Sequence, residues 1–190
     1  MISVAKNIIG TCWMIFAVVW LLAAISTKRT VYRESPAQRS RYVVPLLIGC
    51  VFIFRGHLFP YPLNVQVIPY TDAIALAAAI LCIGGLGFCL WARATLGRNW
   101  SGTVTLKEDH ELIVRGPYRF VRHPIYTGLL AMFIATVIQS GHVAGIIGAA
   151  IVFVSFWIKL IEEEQVMLKQ FPDQYPSYQQ RVKRIIPFIL

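Results

Sequence analysis

Long apolar runs without charged residues are the main feature of this chain. Residues 7–27, 73–92 and 124–158 contain no Asp, Glu, Lys or Arg. A helix needs about 20 residues to cross a bilayer. The first two runs are close to this length, and the third is long enough for two short crossings. The pattern therefore predicts an all-α integral membrane protein.

The apolar runs, together with the loops between them, predict about five transmembrane helices. The predicted spans are residues 4–25, 43–59, 72–95, 125–139 and a last span that begins near residue 142. Pro60, Pro62 and Pro69 predict a non-helical second connection. Ser140 and Gly141 predict a tight turn, so the last two spans form a helical hairpin. We divide the chain into an N-terminal part of three spans, residues 1–95, and a second part, residues 96–190.

Composition supports a membrane protein and argues against other classes. Charged residues make up 14% of the chain and hydrophobic residues 57%, whereas soluble domains carry about 25% charged residues. The cysteines lie inside apolar segments, without CxxC spacing or nearby histidines at metal-ligand spacing. This predicts buried, unreactive thiols and no metal site. The cysteines are Cys12, Cys50, Cys82 and Cys89.

The distribution of basic residues predicts the orientation in the membrane. All Lys and Arg residues except Lys6 and Arg55 fall in the first loop, the third loop or the C-terminal tail. Five spans place these three regions on the same side, which the positive-inside rule assigns to the cytoplasm. The N-terminus is then outside and the C-terminus cytoplasmic. The net charge of +9 follows from this topology and from contact with anionic lipids, rather than from nucleic-acid binding.

Two polar segments flank the predicted hairpin on its cytoplasmic side. GPYRFVRHPIYTG, residues 116–128, precedes its first helix, and KLIEEEQ, residues 159–165, ends its second. Pro124 suits the first turn of a helix, where free N–H groups and the helix dipole attract anions. Because the two helices are antiparallel neighbours, we expect His123 to lie close to Glu163.

Other residues of these segments fit the same pocket. Lys159 and Glu163 are four residues apart and therefore share a helical face. Glu163 is interpreted as a buried carboxylate suited to binding ribose hydroxyls, as acidic residues do in dinucleotide sites. Aromatic and apolar residues of the tail follow a helical stripe that would cover the pocket as a lid. These are Phe171, Tyr175, Tyr178 and Val182.

Each feature alone has an ordinary explanation, but their combination resembles a known family. Basic residues beside a span commonly anchor it, and a run of glutamates is commonly a solvated helix face. GPYRFVRHPIY, a helical hairpin, and then EEE-Q-x-x-L-x-x-F-x-x-x-Y-x-x-Y together resemble the isoprenylcysteine carboxyl methyltransferase family. That family belongs to a wider group of membrane methyltransferases that includes phospholipid N-methyltransferases. The resemblance covers residues 96–187, and the first two predicted spans carry none of it.

The resemblance implies a cofactor and the residues that bind it. It implies S-adenosyl-L-methionine in a cytoplasmic pocket formed by the last hairpin and closed by the C-terminal tail. Arg122 would orient an anionic group, and Lys159 stands where the eukaryotic prenylcysteine enzymes have an arginine that contacts substrate. Lysine keeps the charge but loses the bidentate fork. The implied cofactor-binding residues are His110, Glu111, Leu112, Ile113, Tyr118, His123, Pro124, Ile125, Tyr126 and Glu163.

The resemblance also implies a reaction on a lipid or prenylated substrate that enters from the membrane. Carboxyl O-methylation of a prenylcysteine, or of a similar isoprenoid or lipid acid, is the expected activity. A carboxylate is ionised at neutral pH, so the protein supplies alignment and exclusion of water rather than a general base. Three alternatives remain open: a phospholipid N-methyltransferase, an NADPH-dependent reductase of the membrane sterol type, and a non-catalytic membrane scaffold.

Overall fold

The protein is predominantly α-helical, as the hydrophobic pattern predicts. A computed structural model describes residues 1–25, 30–100, 105–107, 111–187 and 189. A two-stranded antiparallel ribbon, which the pattern did not predict, joins β1 to β2. The elements are α1 Ile2–Ile25, β1 Thr30–Arg33, α2 Pro36–Phe54, α3 Asp72–Leu96, β2 Thr105–Lys107, α4 Pro124–Ser140, α5 Val143–Gln170 and α6 Tyr175–Arg181, with single 3₁₀ turns at Gly56–Leu58, Gly97–Asn99 and Gly116–Arg119.

Within the described residues, four helices are long and apolar enough to cross a membrane: α1, α2, α3 and α5. The fourth predicted span, α4, is apolar but has only 17 residues. At 1.5 Å per residue its length is about 26 Å, slightly less than the about 30 Å of a typical hydrocarbon core. The multi-pass membrane architecture is therefore confirmed, and α4 is shorter than each of α1, α2, α3 and α5.

The second predicted span was wrong in its bounds, because local capping decides where α2 begins. It was expected at residues 43–59, but the helix runs over Pro36–Phe54. The Ser35 hydroxyl accepts from the Gln38 N–H at 3.2 Å, and the Gln38 side chain accepts from the Ser35 N–H at 2.9 Å. This capping box starts the helix seven residues early. Arg39 therefore lies on α2 and not in a loop.

Close glycine contacts hold the bundle together in two helix pairs. A Cβ on Gly85 of α3 would lie 2.6 Å from the carbonyl oxygen of Gly128 of α4, and a Cβ on Gly49 of α2 would lie 2.9 Å from that of Gly148 of α5. Glycine at these four positions lets the backbones approach closely. All four cysteines are free, and the three on α1 and α3 are buried.

The helices alternate in direction, which sorts the connections to two ends of the bundle. The α4–α5 turn at Gly141, with φ of +72°, lies at one end. There the loop before α3 supplies acceptors for the first amides of α5, with Val143 N–H bonded to Val65 O at 2.9 Å. The start of α2, the start of α4 and the end of α5 lie at the opposite end, which we call the cavity end.

Candidate active site

A cavity of about 480 Å³ lies at the cavity end of the bundle. This volume is within the usual range for small-molecule sites. Part of its wall is apolar and comes largely from the membrane helices: Phe16, Trp20, Leu46, Leu129 and Phe156. Another part is charged or polar: Arg39, Glu111, Arg122, His123, Lys159 and Glu163. The cavity therefore suits a ligand, or a pair of ligands, with both a polar and an apolar portion.

Most of the residues implied by the resemblance lie in the wall of this one cavity. Pro124 does not line it, since it is buried in the first turn of α4, and His110 lies outside the described residues. Their binding roles remain predictions. The implied residues that do line the cavity are Glu111, Leu112, Ile113, Tyr118, Arg122, His123, Ile125, Tyr126, Lys159 and Glu163.

The expected proximity of His123 and Glu163 is confirmed. The distance from His123 Nδ1 to Glu163 Oε2 is 3.6 Å. The hydroxyl of Tyr126 donates to Glu163 Oε1 at 2.7 Å, and Lys159 Nζ lies 3.8 Å from the same oxygen. The antiparallel packing of α4 and α5 brings together side chains that are forty residues apart in sequence.

The expectation that Glu163 is the buried carboxylate was wrong, because Glu164 takes that position. The side chain of Glu163 is 22% exposed, whereas that of Glu164 is 4% exposed and lies 2.7 Å from Arg122 Nη2. Successive residues of a helix point about 100° apart, so one carboxylate faces the cavity and its neighbour faces away. The guanidinium of Arg122, expected to orient a ligand anion, is bonded to Glu164.

The C-terminal tail packs directly on the segment before α4. Arg122 N–H donates to Lys183 O at 2.7 Å and His123 N–H to Arg184 O at 2.9 Å. These two amides are therefore occupied by the tail and are not available to an anion.

Part of the tail stripe expected to cover the pocket does reach it. Tyr175 and Tyr178 of α6 line the cavity, whereas Phe171 and Val182 do not. Burial raises the pKa of Tyr175 and of Tyr178, so both phenols are uncharged at neutral pH. The tail therefore supplies a neutral aromatic part of the cavity wall.

Sequence reasoning missed the contribution of α2. Tyr42 lies in the cavity wall, and its ring centroid is 5.1 Å from Lys159 Nζ. Its hydroxyl donates to Glu34, and its carbonyl accepts from the Ser155 hydroxyl at 2.6 Å. No local motif marks a single tyrosine near a helix start. Only the long-range packing of α2 on α5 shows that it faces the site.

Comparison with known proteins agrees with this architecture. The family model described as phospholipid methyltransferase matches residues 73–174, which is more than half of the chain. A probable protein-S-isoprenylcysteine O-methyltransferase from Oryza sativa is 28% identical over 89% of this chain and 87% of its own. Methanethiol S-methyltransferase 1 from Bradyrhizobium diazoefficiens is 38% identical over 84% of this chain and 58% of its own.

A solved structure is similar as well. The eukaryotic intramembrane Ras methyltransferase, an isoprenylcysteine carboxyl methyltransferase, aligns with a TM-score of 0.57 and 28% identity, over 84% of this chain and 55% of that chain. This chain spans about half the length of several curated relatives that it matches.

The fold and the cavity define a multi-pass membrane protein with one mixed polar and apolar site among its described residues. The chain belongs to the phospholipid methyltransferase family. The predicted resemblance and the predicted class, a membrane methyltransferase, are confirmed by these comparisons.

Proposed function

We propose that this protein is an S-adenosyl-L-methionine-dependent methyltransferase that acts on a membrane-embedded amphiphile. One observation carries the proposal: a single cavity joins the cluster of His123, Lys159 and Glu163 to an apolar wall built from membrane helices. A soluble acceptor would not need an apolar wall of this origin. The polar cluster alone fits a charged ligand, and the apolar wall fits a lipid chain.

The residues present fit the proposed cofactor. Its amino-acid portion carries an ammonium and a carboxylate group, and the cavity wall contains both carboxylates and cationic side chains to match them. Glu163 is a partly exposed acceptor for hydroxyl or ammonium groups, and Leu112 and Ile113 offer an apolar surface for a flat base. Asn99 lines the cavity, and its Oδ1 is buried without a hydrogen-bond partner in the described part of the chain. A buried acceptor of this kind is costly unless a ligand satisfies it.

A carboxylate is the acceptor group that the cavity fits best. Arg39 and Lys159 both line it and carry positive charge, so they would attract an anionic head group. The apolar wall would hold an isoprenoid or acyl chain. We therefore assign carboxyl O-methylation of a prenylcysteine, or of a similar isoprenoid or lipid acid, as the reaction.

The protein's contribution to the reaction is alignment and exclusion of water. When bound, the cofactor supplies an electrophilic methyl group on a sulfonium centre. A carboxylate needs no deprotonation at neutral pH, so no residue has to act as a general base. Lys159 would hold the acceptor, Glu163 would hold the cofactor, and Tyr175 and Tyr178 would keep water out. A dry site favours this reaction because the negative charge of the carboxylate and the positive charge of the sulfonium neutralise each other as the methyl group passes from sulfur to oxygen.

A second acceptor class is raised by one relative. The Bradyrhizobium relative is named as a methanethiol S-methyltransferase, so a thiol is the alternative nucleophile. A thiol has a pKa of about 8.5 in water and would need a proton acceptor. His123 Nδ1 and Glu163, which are 3.6 Å apart, are the candidates in the cavity.

Ligand binding tests the cofactor. S-adenosylhomocysteine at about 100 times its Kd should stabilise the detergent-purified protein by about 2.7 kcal/mol, measured by thermal unfolding. NADPH serves as the control ligand and should have no effect. Stabilisation by NADPH alone would transfer the proposal to a reductase, and no response to either ligand would leave a non-catalytic role.

The product tests the acceptor. Labelled methyl groups from S-adenosylmethionine should enter a membrane lipid extract and be released as methanol by mild base, because an ester is base-labile. A base-stable label would contradict the carboxylate assignment, and mass spectrometry would then separate a thioether from a methylated amine.

A further inference from the structure

Glu164 lies beside the cavity without lining it, and the proposed function gives it no role. Its side chain is 4% exposed, and an uncompensated carboxylate would be very costly at such a position. Both of its oxygens are bonded to protein groups. A buried carboxylate of this kind fixes the positions of the groups that bond to it.

The two carboxylate oxygens of Glu164 serve two different parts of the chain. Oε1 accepts from Arg122 Nε at 2.9 Å and Nη2 at 2.7 Å, and it lies 3.2 Å from His123 Nε2. Oε2 accepts from Gln179 Nε2 at 3.2 Å and from Arg184 Nε at 3.0 Å. One oxygen therefore holds the segment before α4, and the other holds the C-terminal tail.

On the α4 side, Glu164 sets the orientation of His123. Because Nε2 of His123 faces Glu164, Nδ1 is turned toward Glu163, whose Oε2 is 3.6 Å away. A hydrogen bond at one ring nitrogen fixes the direction in which the other nitrogen points. Loss of the Glu164 carboxylate would free the ring that faces the cavity.

On the tail side, Glu164 holds a part of the cavity wall. Gln179 lies one residue after Tyr178, which lines the cavity and donates its hydroxyl to Tyr118 O. The backbone carbonyl of Arg184 itself accepts the His123 N–H. The bonds to Oε2 therefore join the aromatic wall of the tail to α5.

We propose that Glu164 is a positioning residue that fastens the C-terminal tail and His123 together, and so closes the cavity over its bound cofactor. The link to cofactor binding rests on the proposed function. Without the carboxylate, Arg122 and Arg184 lose their common partner and the closed arrangement is weakened. The tail would then open more readily and the cofactor would bind more weakly.

Three variants test this proposal: Glu164→Gln, Arg184→Gln and the control Glu162→Gln. Glu162 belongs to the same glutamate triplet but does not line the cavity. The side chain of Arg184 is 32% exposed, so its variant tests the same joint if Glu164→Gln does not fold. We expect Glu164→Gln to raise the Kd for S-adenosylhomocysteine at least about tenfold by calorimetry. Arg184→Gln should raise it less, and Glu162→Gln should leave it unchanged.

Hydrogen exchange separates this role from a general loss of stability. The amides of Arg122 and His123 donate to carbonyls of the tail, so without ligand they should exchange faster in Glu164→Gln and Arg184→Gln. Exchange in the middle of α3 should stay as in the wild type. If the wild type binds S-adenosylhomocysteine and the folded variants bind it equally well, the proposal is overturned.

Weaker binding without faster exchange also overturns the proposal, because Glu164 would then act by another route. A wild-type protein that binds no S-adenosylhomocysteine contradicts the proposed function itself. The exchange rates still test the tail joint in that case, because they are measured without ligand.

Discussion

Glu163 is the side chain on which the proposed cofactor site depends most. We predict that Glu163→Gln raises the Kd for S-adenosylhomocysteine at least about tenfold, because hydrogen bonds to a charged group contribute about 1.5–3 kcal/mol. Glu163 also accepts a hydrogen bond from the Tyr126 hydroxyl. A glutamine oxygen can still accept this bond, so we expect the variant to fold. Calorimetry with purified protein is the measurement.

Glu162→Gln is the matched control for that variant, since it removes one charge from the adjacent helical position. It should bind as tightly as the wild type. Equal Kd values for both variants and the wild type would show that Glu163 does not contact the cofactor.

Tyr42 is predicted to position Lys159 for the acceptor. The ring faces the ammonium group at 5.1 Å, and cation–π contacts contribute about 0.5–2 kcal/mol. Tyr42→Leu should therefore raise the KM for the acceptor about two- to thirtyfold and leave cofactor affinity unchanged. Tyr42→Phe keeps the ring and should retain most of the acceptor affinity. Steady-state kinetics with both substrates varied measures the two effects. Weaker binding of the cofactor with an unchanged KM for the acceptor would contradict this role.

At the scale of elements, the close contact between α3 and α4 gives a stability prediction. Gly85→Ala places a Cβ 2.6 Å from the Gly128 carbonyl oxygen, and such overpacking costs about 1–3 kcal/mol. We expect a lower temperature of thermal unfolding in detergent. Gly84→Ala, one residue away with nothing within 4 Å, is the matched control and should be neutral or slightly stabilising. An equal effect of both changes would show that helix propensity, and not packing, determines the change in unfolding temperature.

The elements also show how far the sequence could predict this fold. The bounds of α1 and α3 were predicted within two residues, because charges or loop residues bracket their apolar runs. α2 was displaced because its first two turns carry Arg39 and Arg41, which hydropathy assigns to a loop. The local signal for the true start is the sequence Ser35-Pro36-Ala37-Gln38, which forms a capping box with proline in the first turn.

The candidate site was predictable only in the part that one hairpin determines. Antiparallel α4 and α5 require His123 to meet the end of α5, so its contact with Glu163 followed from the sequence. Which of the adjacent glutamates is buried depends on the rotation of α5 about its axis, and the sequence does not specify that angle. The place of Tyr42 in the wall depends on the packing of α2, which no motif records.

At the scale of the whole molecule, the cavity draws on both parts of the chain that the sequence separates at residue 95. Phe16 and Tyr42 come from the first part, and His123 and Glu163 from the second. The N-terminal helices are therefore part of the site and not only a membrane anchor.

Orientation in the membrane gives the last prediction. The positive-inside rule places the cavity end in the cytoplasm, because the basic loops and the tail lie there. In intact cells, a membrane-impermeant thiol reagent should label Tyr61→Cys, which is 82% exposed at the opposite end. Gln180→Cys on the exposed face of α6 should be labelled only after permeabilisation.

The wild type is the control for this labelling, since three of its cysteines are buried and Cys50 lies within α2. The reverse pattern would place the cavity outside the cell, where S-adenosylmethionine made in the cytoplasm cannot reach it. The proposed function would then fail even if every distance in the site were correct, because the cofactor and the cavity would lie on opposite sides of the bilayer.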